Sequence, residues 1–439
     1  MLKLRGKLFA AFFFGLLLVA PAAAAANKPG EISCNGSSEL CDRKLNQVVL
    51  PGTHNSMAAA EIGWFNPNHT YSIPNQLKRG ARAMLIDTYY GRPDPPQPNG
   101  AIQIRNAGAG PGDPLYLCHE SCLFGASPLV PELEKVASFL KANPNEVLVF
   151  VNQDGVDPGD FAEAVEASGL LEYIYEGPTG PWPTLGEMIA TNQRVVMTAE
   201  QDAAGVPWYH RAYGGAMRET PFNFPLNTDL ITAPEQLEES CRPNRGEAAA
   251  TDDSLFLMNH WTATDFRITG SFEPLIAWAE VVNQKDAVVN RARACEQRRG
   301  FLPNILAVDF FGTGDVVGAA NELNEVAATA TLRSNRLKPI VVRGGQRRLV
   351  AVTVTNSGDA PARSVRICAS APSRLVSRPA CVRRGQMLAG QRVVVKLRVK
   401  VKRNARGSGA FKVKVTSSAR TVNLKTELRV KPVRKVRGR

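Results

Sequence analysis

Residues 47–57 read Gln-Val-Val-Leu-Pro-Gly-Thr-His-Asn-Ser-Met, and this stretch decides how the rest of the chain is read. An apolar, β-branched run, Gln47–Pro51, has the pattern of a short strand. It gives way to Gly52 and Thr53 and then presents His54 and Asn55. The same order recurs six times. Ala83–Tyr89 carries Asp87, and Leu115–Cys118 leads into His119 and Glu120. Val147–Asn152 ends on Asn152, with Asp154 just beyond. Arg194–Thr198 runs toward Glu200, Leu255–Asn259 into His260 and Trp261, and Ile305–Phe310 through Asp309. Helical patterns lie between several of these runs. Pro131–Lys141 places apolar residues at helical spacing behind a proline, and Phe161–Leu171 and Glu273–Val282 behave alike. Strands alternating with helices argue for a parallel sheet. Seven or eight such units fit an α/β fold of the irregular TIM (β/α)8 type, expected over residues 27–330. In that fold the C-terminal strand ends share one face, where these polar residues would meet.

The flanks have other compositions. At the start, Lys3, Arg5 and Lys7 precede an apolar run, Phe9–Val19, and Ala22–Ala26 supply small residues. The run is too short to span a bilayer. Residues 1–26 are therefore expected to be a secretory signal peptide, and the protein to be secreted, extracellular or associated with a cell surface. Export permits disulfides. The eight cysteines fall into local pairs: Cys34 with Cys41, Cys118 with Cys122, Cys241 with Cys295, and Cys368 with Cys381. A zinc site on Cys118-His119-Glu120-Ser121-Cys122 is the alternative, without a second ligand pair at zinc spacing.

Near Leu332 the helical patterns stop. Arg348–Thr355, Val393–Val401 and Phe411–Thr416 alternate apolar with polar or basic residues, separated by turn signals at 356–358 and 406–409. An all-β, immunoglobulin-like sandwich is expected over 331–430, with a basic disordered tail at 431–439. The formal net charge is +13, yet residues 331–439 hold 29 Lys and Arg against only Asp359 and Glu427. An acidic body thus carries a basic module. Such a split suggests attraction to an anionic surface or cell-wall polymer, with no specific nucleic acid. The protein is expected to be a monomer.

Two histidines and an aspartate suit a general base, a general acid and an orienting carboxylate. Asn55, Asp87 and Asn152 are hard oxygen donors suited to a calcium-like cation. Together these groups suit phosphodiester cleavage.

Leu50-Pro-Gly-Thr-His-Asn-Ser-Met57 resembles the first histidine motif of the phosphatidylinositol-specific phospholipase C-like phosphodiesterases. Gln76–Asp87, Leu117-Cys-His119, Glu146–Asn152 and Ala307-Val-Asp-Phe-Phe311 resemble the segments that follow it in that family, in the same order. The resemblance spans residues 45–325 and is strongest to secreted microbial and plant members. It implies that His54 is the base on the inositol 2-hydroxyl, that Asp309 orients His54, and that His119 is the acid for the leaving diacylglycerol. A cyclic inositol phosphate would be the first product. Asp87 and Asn55 match the calcium-dependent branch, so Ca2+ is the implied cofactor, bound by Asn55, Asp87 and Asn152. Leu85 and Asn152 depart from that branch, where carboxylates stand. His260 and Trp261 are expected to contact the head group, and a phospholipid at a membrane surface to be the substrate. His69 and His210 read as structural, and Asn35-Gly-Ser37 and Asn68-His-Thr70 match glycosylation sequons. Two alternatives remain: a catalytically silent barrel that binds surfaces through its basic module, and a glycerophosphodiester- or sphingomyelin-type phosphodiesterase.

Overall fold

The computed structural model describes residues 33–96, 103–222, 234–266, 271–274, 276–326, 330, 332–356, 362–377, 380–387, 391–417 and 421–432. The expected signal peptide and residues 433–439 of the expected tail lie outside them. Among the described residues no helix is long and apolar enough to cross a membrane.

The first part is a curled parallel sheet. In chain order its longer strands are β1 (Leu50–Thr53), β2 (Ala83–Tyr90), β3 (Leu115–Leu117, antiparallel to β2), β4 (Leu148–Gly155), β5 (Val195–Ala199), β6 (Tyr209–Arg211), β7 (Met217–Glu219), β8 (Leu255–Asn259) and β9 (Ile305–Val308), and a two-residue strand, Ser127–Pro128, pairs with β3. The parallel strands lie in the order β7-β8-β9-β1-β2-β4-β5-β6. The two edge strands, β6 and β7, are joined by residues 212–216 alone. That link can span no more than roughly 20 Å, so the sheet must curl to bring its edges together. Among the described residues no ladder pairs β6 with β7. The sheet is therefore a curled, incomplete barrel, where the sequence had pointed to a (β/α)8 barrel. The short 3-10 turn Ala212–Gly214 leaves no room for the helix that a complete barrel would place there.

Both faces of the sheet are buried, which explains the continuous apolar runs. Leu50, Ala83, Leu85, Val149, Val151, Leu257 and Ile305 point to the inner layer. Met84, Ile86, Phe150, Met197, Met258 and Leu306 face the outer layer, against helix residues such as Leu133, Phe161 and Ala292. Helices Leu129–Ala142, Pro158–Ala167, Lys285–Arg299 and Val316–Leu323 supply that cover.

The basic module forms two sheets around one core. Three strands, Leu332–Ser334, Arg347–Asn356 and Arg392–Lys400, make the first sheet. Ile340–Arg343, Thr421–Lys431, Gly407–Thr416, Ala362–Ser370 and Ala380–Met387 make the second, in that order. Val352, Val354 and Leu397 of the first sheet share a core with Ile367, Phe411 and Leu428 of the second. The last strand runs to Lys431, one residue into the expected tail. All four cysteine pairs are joined as disulfides, and Cys118–Cys122 closes the zinc alternative.

Gly52 lets β1 sit close to its neighbours. A Cβ there would stand 2.9 Å from Ile305 Cγ2 and 3.3 Å from Ala83 Cβ. Gly52→Val is expected to cost roughly 1–3 kcal/mol by overpacking, read as a lower urea midpoint. An unchanged midpoint would mean that the inner layer has room to spare.

Candidate active site

β1 and β9 pair in parallel from Leu50↔Ile305 to Thr53↔Val308. The residues that follow each strand, His54 and Asp309, therefore emerge side by side. The His54 amide extends the ladder by donating to the Val308 carbonyl at 3.0 Å. Its Nδ1 lies 3.0 Å from Asp309 Oδ1. An ionised carboxylate only accepts, so Nδ1 carries the proton and Nε2 is left as the basic nitrogen. Trp261 stacks on the other side of the imidazole, with ring centroids 4.0 Å apart and planes 2° apart. The ring is thus fixed at its edge and across its face.

His119 arrives by a different route. β3 runs antiparallel to β2, with Leu117 opposite Thr88, and the Cys118 amide donates to the Asp87 carbonyl at 3.2 Å. The chain re-enters from beyond the sheet and delivers His119 at the level of Asp87. The Cys118–Cys122 disulfide brackets it. Burial and then the charge of His54 push His119 well below the ordinary histidine range, with Glu120 and Asp309 opposing.

One cavity of about 270 Å3 is lined by His54, His119, Asp309, Asp87, Asn55 and Trp261. Of the expected site residues, His260 and Asn152 do not line it. His260 is fully buried, and its Nε2 lies 2.8 Å from the Val282 carbonyl. Burial and the Arg291 charge drive it down to about 3. Asn152 is also fully buried; its amide binds the Thr88 hydroxyl and donates to the Tyr209 hydroxyl at 2.7 Å. Gln153, the next residue, lines the wall instead.

Asp87 lies deep in the wall, and its Oδ2 has no hydrogen-bond partner. Burial first, then repulsion from Glu200 and Glu120, raises its carboxyl well above the usual range. A cation beside Asp87 would relieve that cost, so Asp87, with Asn55 on the same cavity wall, fits one. Among the described residues, no three His, Cys, Asp or Glu side chains group closely enough to hold a metal by themselves.

Sequence reasoning missed a clamp around the His54–Asp309 pair. Asn68 Nδ2 donates to Asp309 Oδ1 at 2.9 Å, the same oxygen that His54 uses. The Asn68 carbonyl accepts the Phe310 amide at 2.6 Å. His69 Nε2 donates to the His54 carbonyl at 2.6 Å, and the Phe311 amide points at His69 Nδ1. Burial pushes His69 down to about 4, so it stays a neutral strut. Asn283 holds the Asp309 carbonyl at 2.7 Å. Asn68, the acceptor residue of that sequon, is thus buried in the site. Arg245 was also missed. It lines the cavity, ion-paired to Glu200 and Glu219 at 2.6 Å each. Both clamps come from loops, where neither periodicity nor strand-end position marks a residue.

Residues 101–324 match the family model described as PI-PLC X 1. The chain belongs to the PI-PLC X family. His54, Asn55 and Asp87 precede the matched stretch, so their part in the site rests on geometry. An "Uncharacterized secreted protein" of Arthroderma benhamiae is 29% identical over 67% of this chain and 64% of its own length. The chain thus spans less than two thirds of that relative. A "PI-PLC X domain-containing protein 1" of the same fungus is 26% identical over 67% of this chain and 90% of its own. A PI-PLC X domain-containing protein of Arabidopsis thaliana is 25% identical over 73% and 68%.

Asn68→Ala should leave the fold intact and slow turnover by roughly 10- to 100-fold, because Asp309 loses its second restraint. Full activity in a folded Asn68→Ala protein would remove Asn68 from the site. A second expectation concerns pH. His69, His119 and His260 all sit below the ordinary histidine value in the folded chain. At these rings the unfolded chain therefore takes up protons first as pH falls, and their contribution to stability is lost from about pH 6.5 down to about pH 3. Asp87 offsets this in part, because its raised carboxyl is protonated first in the folded chain. Thermal midpoints that stay level over that window would contradict the burial of these rings.

Proposed function

We propose that this protein is a secreted phosphoric diester hydrolase of the phosphatidylinositol-specific phospholipase C type, acting on a phosphoinositide-like lipid. The observation that carries the reading is the opening of the His54–Asp309 pair and of His119 into one cavity. His54 Nε2 takes the proton of the inositol 2-hydroxyl, and Asp309 stabilises the imidazolium that forms. The freed oxygen bonds to phosphorus, the bond from phosphorus to the diacylglycerol oxygen breaks, and His119 protonates that oxygen. The products are a cyclic inositol phosphate and diacylglycerol. Burial disfavours the charged ring of His119, while an anionic phosphate between the two rings would favour its charged, acid form.

A calcium ion held by Asp87 and Asn55 would supply positive charge near the phosphoryl oxygens. With a single buried carboxylate the site would bind it weakly. Trp261 offers an apolar wall beside His54 for the head group. Four disulfides and the relative named as secreted support action outside the cell. The complete base–acid set disfavours a catalytically silent barrel.

The test is release of water-soluble inositol phosphate from phosphatidylinositol vesicles. His54→Ala and His119→Ala should each lower the rate by about 100- to 10,000-fold. Chelation should slow the wild type, and Asp87→Asn should lose that response. Full activity in His54→Ala would refute the base assignment.

A further inference from the structure

The second sheet of the C-terminal sandwich has an outer face dominated by cations. Strand register places Lys412 directly opposite Lys425, and Arg366 directly opposite Arg383. Lys414 and Arg343 stand on the same face, and all six side chains are exposed. Neighbouring strands are about 5 Å apart, so these are close like-charge contacts, which destabilise a sheet. One acid, Glu427, stands among them, and Arg429 engages it at 3.2 Å. It is the single ion pair of the sandwich among the described residues.

Solubility does not account for this. A net charge of roughly 2–8 keeps a small domain soluble, whereas residues 331–439 hold 29 basic residues against two acids. The shape narrows the partner. A sheet face is broad and shallow, with side chains standing nearly perpendicular to it. It presents a plane of charge, where a single linear polymer would be gripped better by a groove. Among the described residues Val341 is the one large apolar side chain exposed on this face, so contact there is electrostatic.

We propose that the outer face of this sheet docks the protein on an anionic lipid bilayer. The face goes beyond the catalytic reading and stands or falls separately from it. Each cation near such a surface adds to the attraction, and salt screens it.

The experiment is co-sedimentation of the full-length His54→Ala protein with phosphatidylcholine vesicles, with and without phosphatidylserine. Binding is expected only with phosphatidylserine and should fall steeply with salt. Lys412→Gln/Lys414→Gln/Lys425→Gln should weaken partition on the order of 100-fold. Lys396→Gln/Arg398→Gln/Lys400→Gln, on the other sheet, should weaken it far less. Lys425→Gln alone should keep or raise the melting midpoint, because an opposed like-charge pair is removed. The proposal is overturned by three results: no binding to phosphatidylserine vesicles at low salt, equal losses from the two triple variants, or tighter binding to heparin or duplex DNA than to vesicles at equal ionic strength. None of these readings depends on turnover.

Discussion

The hydrogen bond between His54 and Asp309 is the constraint on which the site depends. The two residues are 255 positions apart in sequence, so only the parallel pairing of β1 with β9 brings them together. That pairing in turn needs a close approach at Gly52, where Ile305 and Ala83 leave no space for a side chain. Asn68, His69 and Asn283 then remove the remaining freedom of the pair. Trp261, set on the end of β8, covers the face of the ring. A histidine–carboxylate pair placed this firmly would need little reorganisation in the proposed reaction.

The cavity wall is built from opposed charges. Asp87 carries an unpartnered buried oxygen, with Glu120 and Glu200 acting on it. Arg245 holds Glu200 and Glu219 on the same wall. Phosphodiester chemistry needs positive charge near the phosphoryl oxygens, and the local surplus of carboxylates favours a cation there. Asp87 thus connects the electrostatics of the cavity with the proposed calcium ion.

Much of this was legible in the sequence because strand ends are local signals. Ala83–Tyr89 and Leu255–Asn259 were readable as strands from two-sided burial, which leaves continuous apolar runs, whereas Gln47–Pro51 was set three residues early: Gln47 closes a 3-10 turn and the strand is Leu50–Thr53. The histidines and Asp309 follow such runs directly. β6 and β7, Tyr-His-Arg and Met-Arg-Glu, were missed because three positions rich in basic and acidic residues hold no apolar run, unlike the Leu-Tyr-Leu of β3. The direction of β3 was also hidden. Leu115–Cys118 looks like any barrel strand, and only its tertiary pairing makes it antiparallel to β2. Asn152 illustrates a limit of strand-end logic: it has the right position and residue type, yet the Thr88 and Tyr209 hydroxyls occupy its amide. Asn68 and Arg245 act from loops, where sequence position says nothing about reach.

In the proposed reaction two imidazoles work on opposite sides of one phosphorus. The most direct measurement is a phosphorus NMR time course with a phosphoinositide substrate and the wild-type protein. A cyclic five-membered phosphodiester should appear first, at a rate equal to substrate loss. Direct appearance of an open phosphomonoester or of phosphocholine-type products, with no cyclic species at any time, would contradict the account.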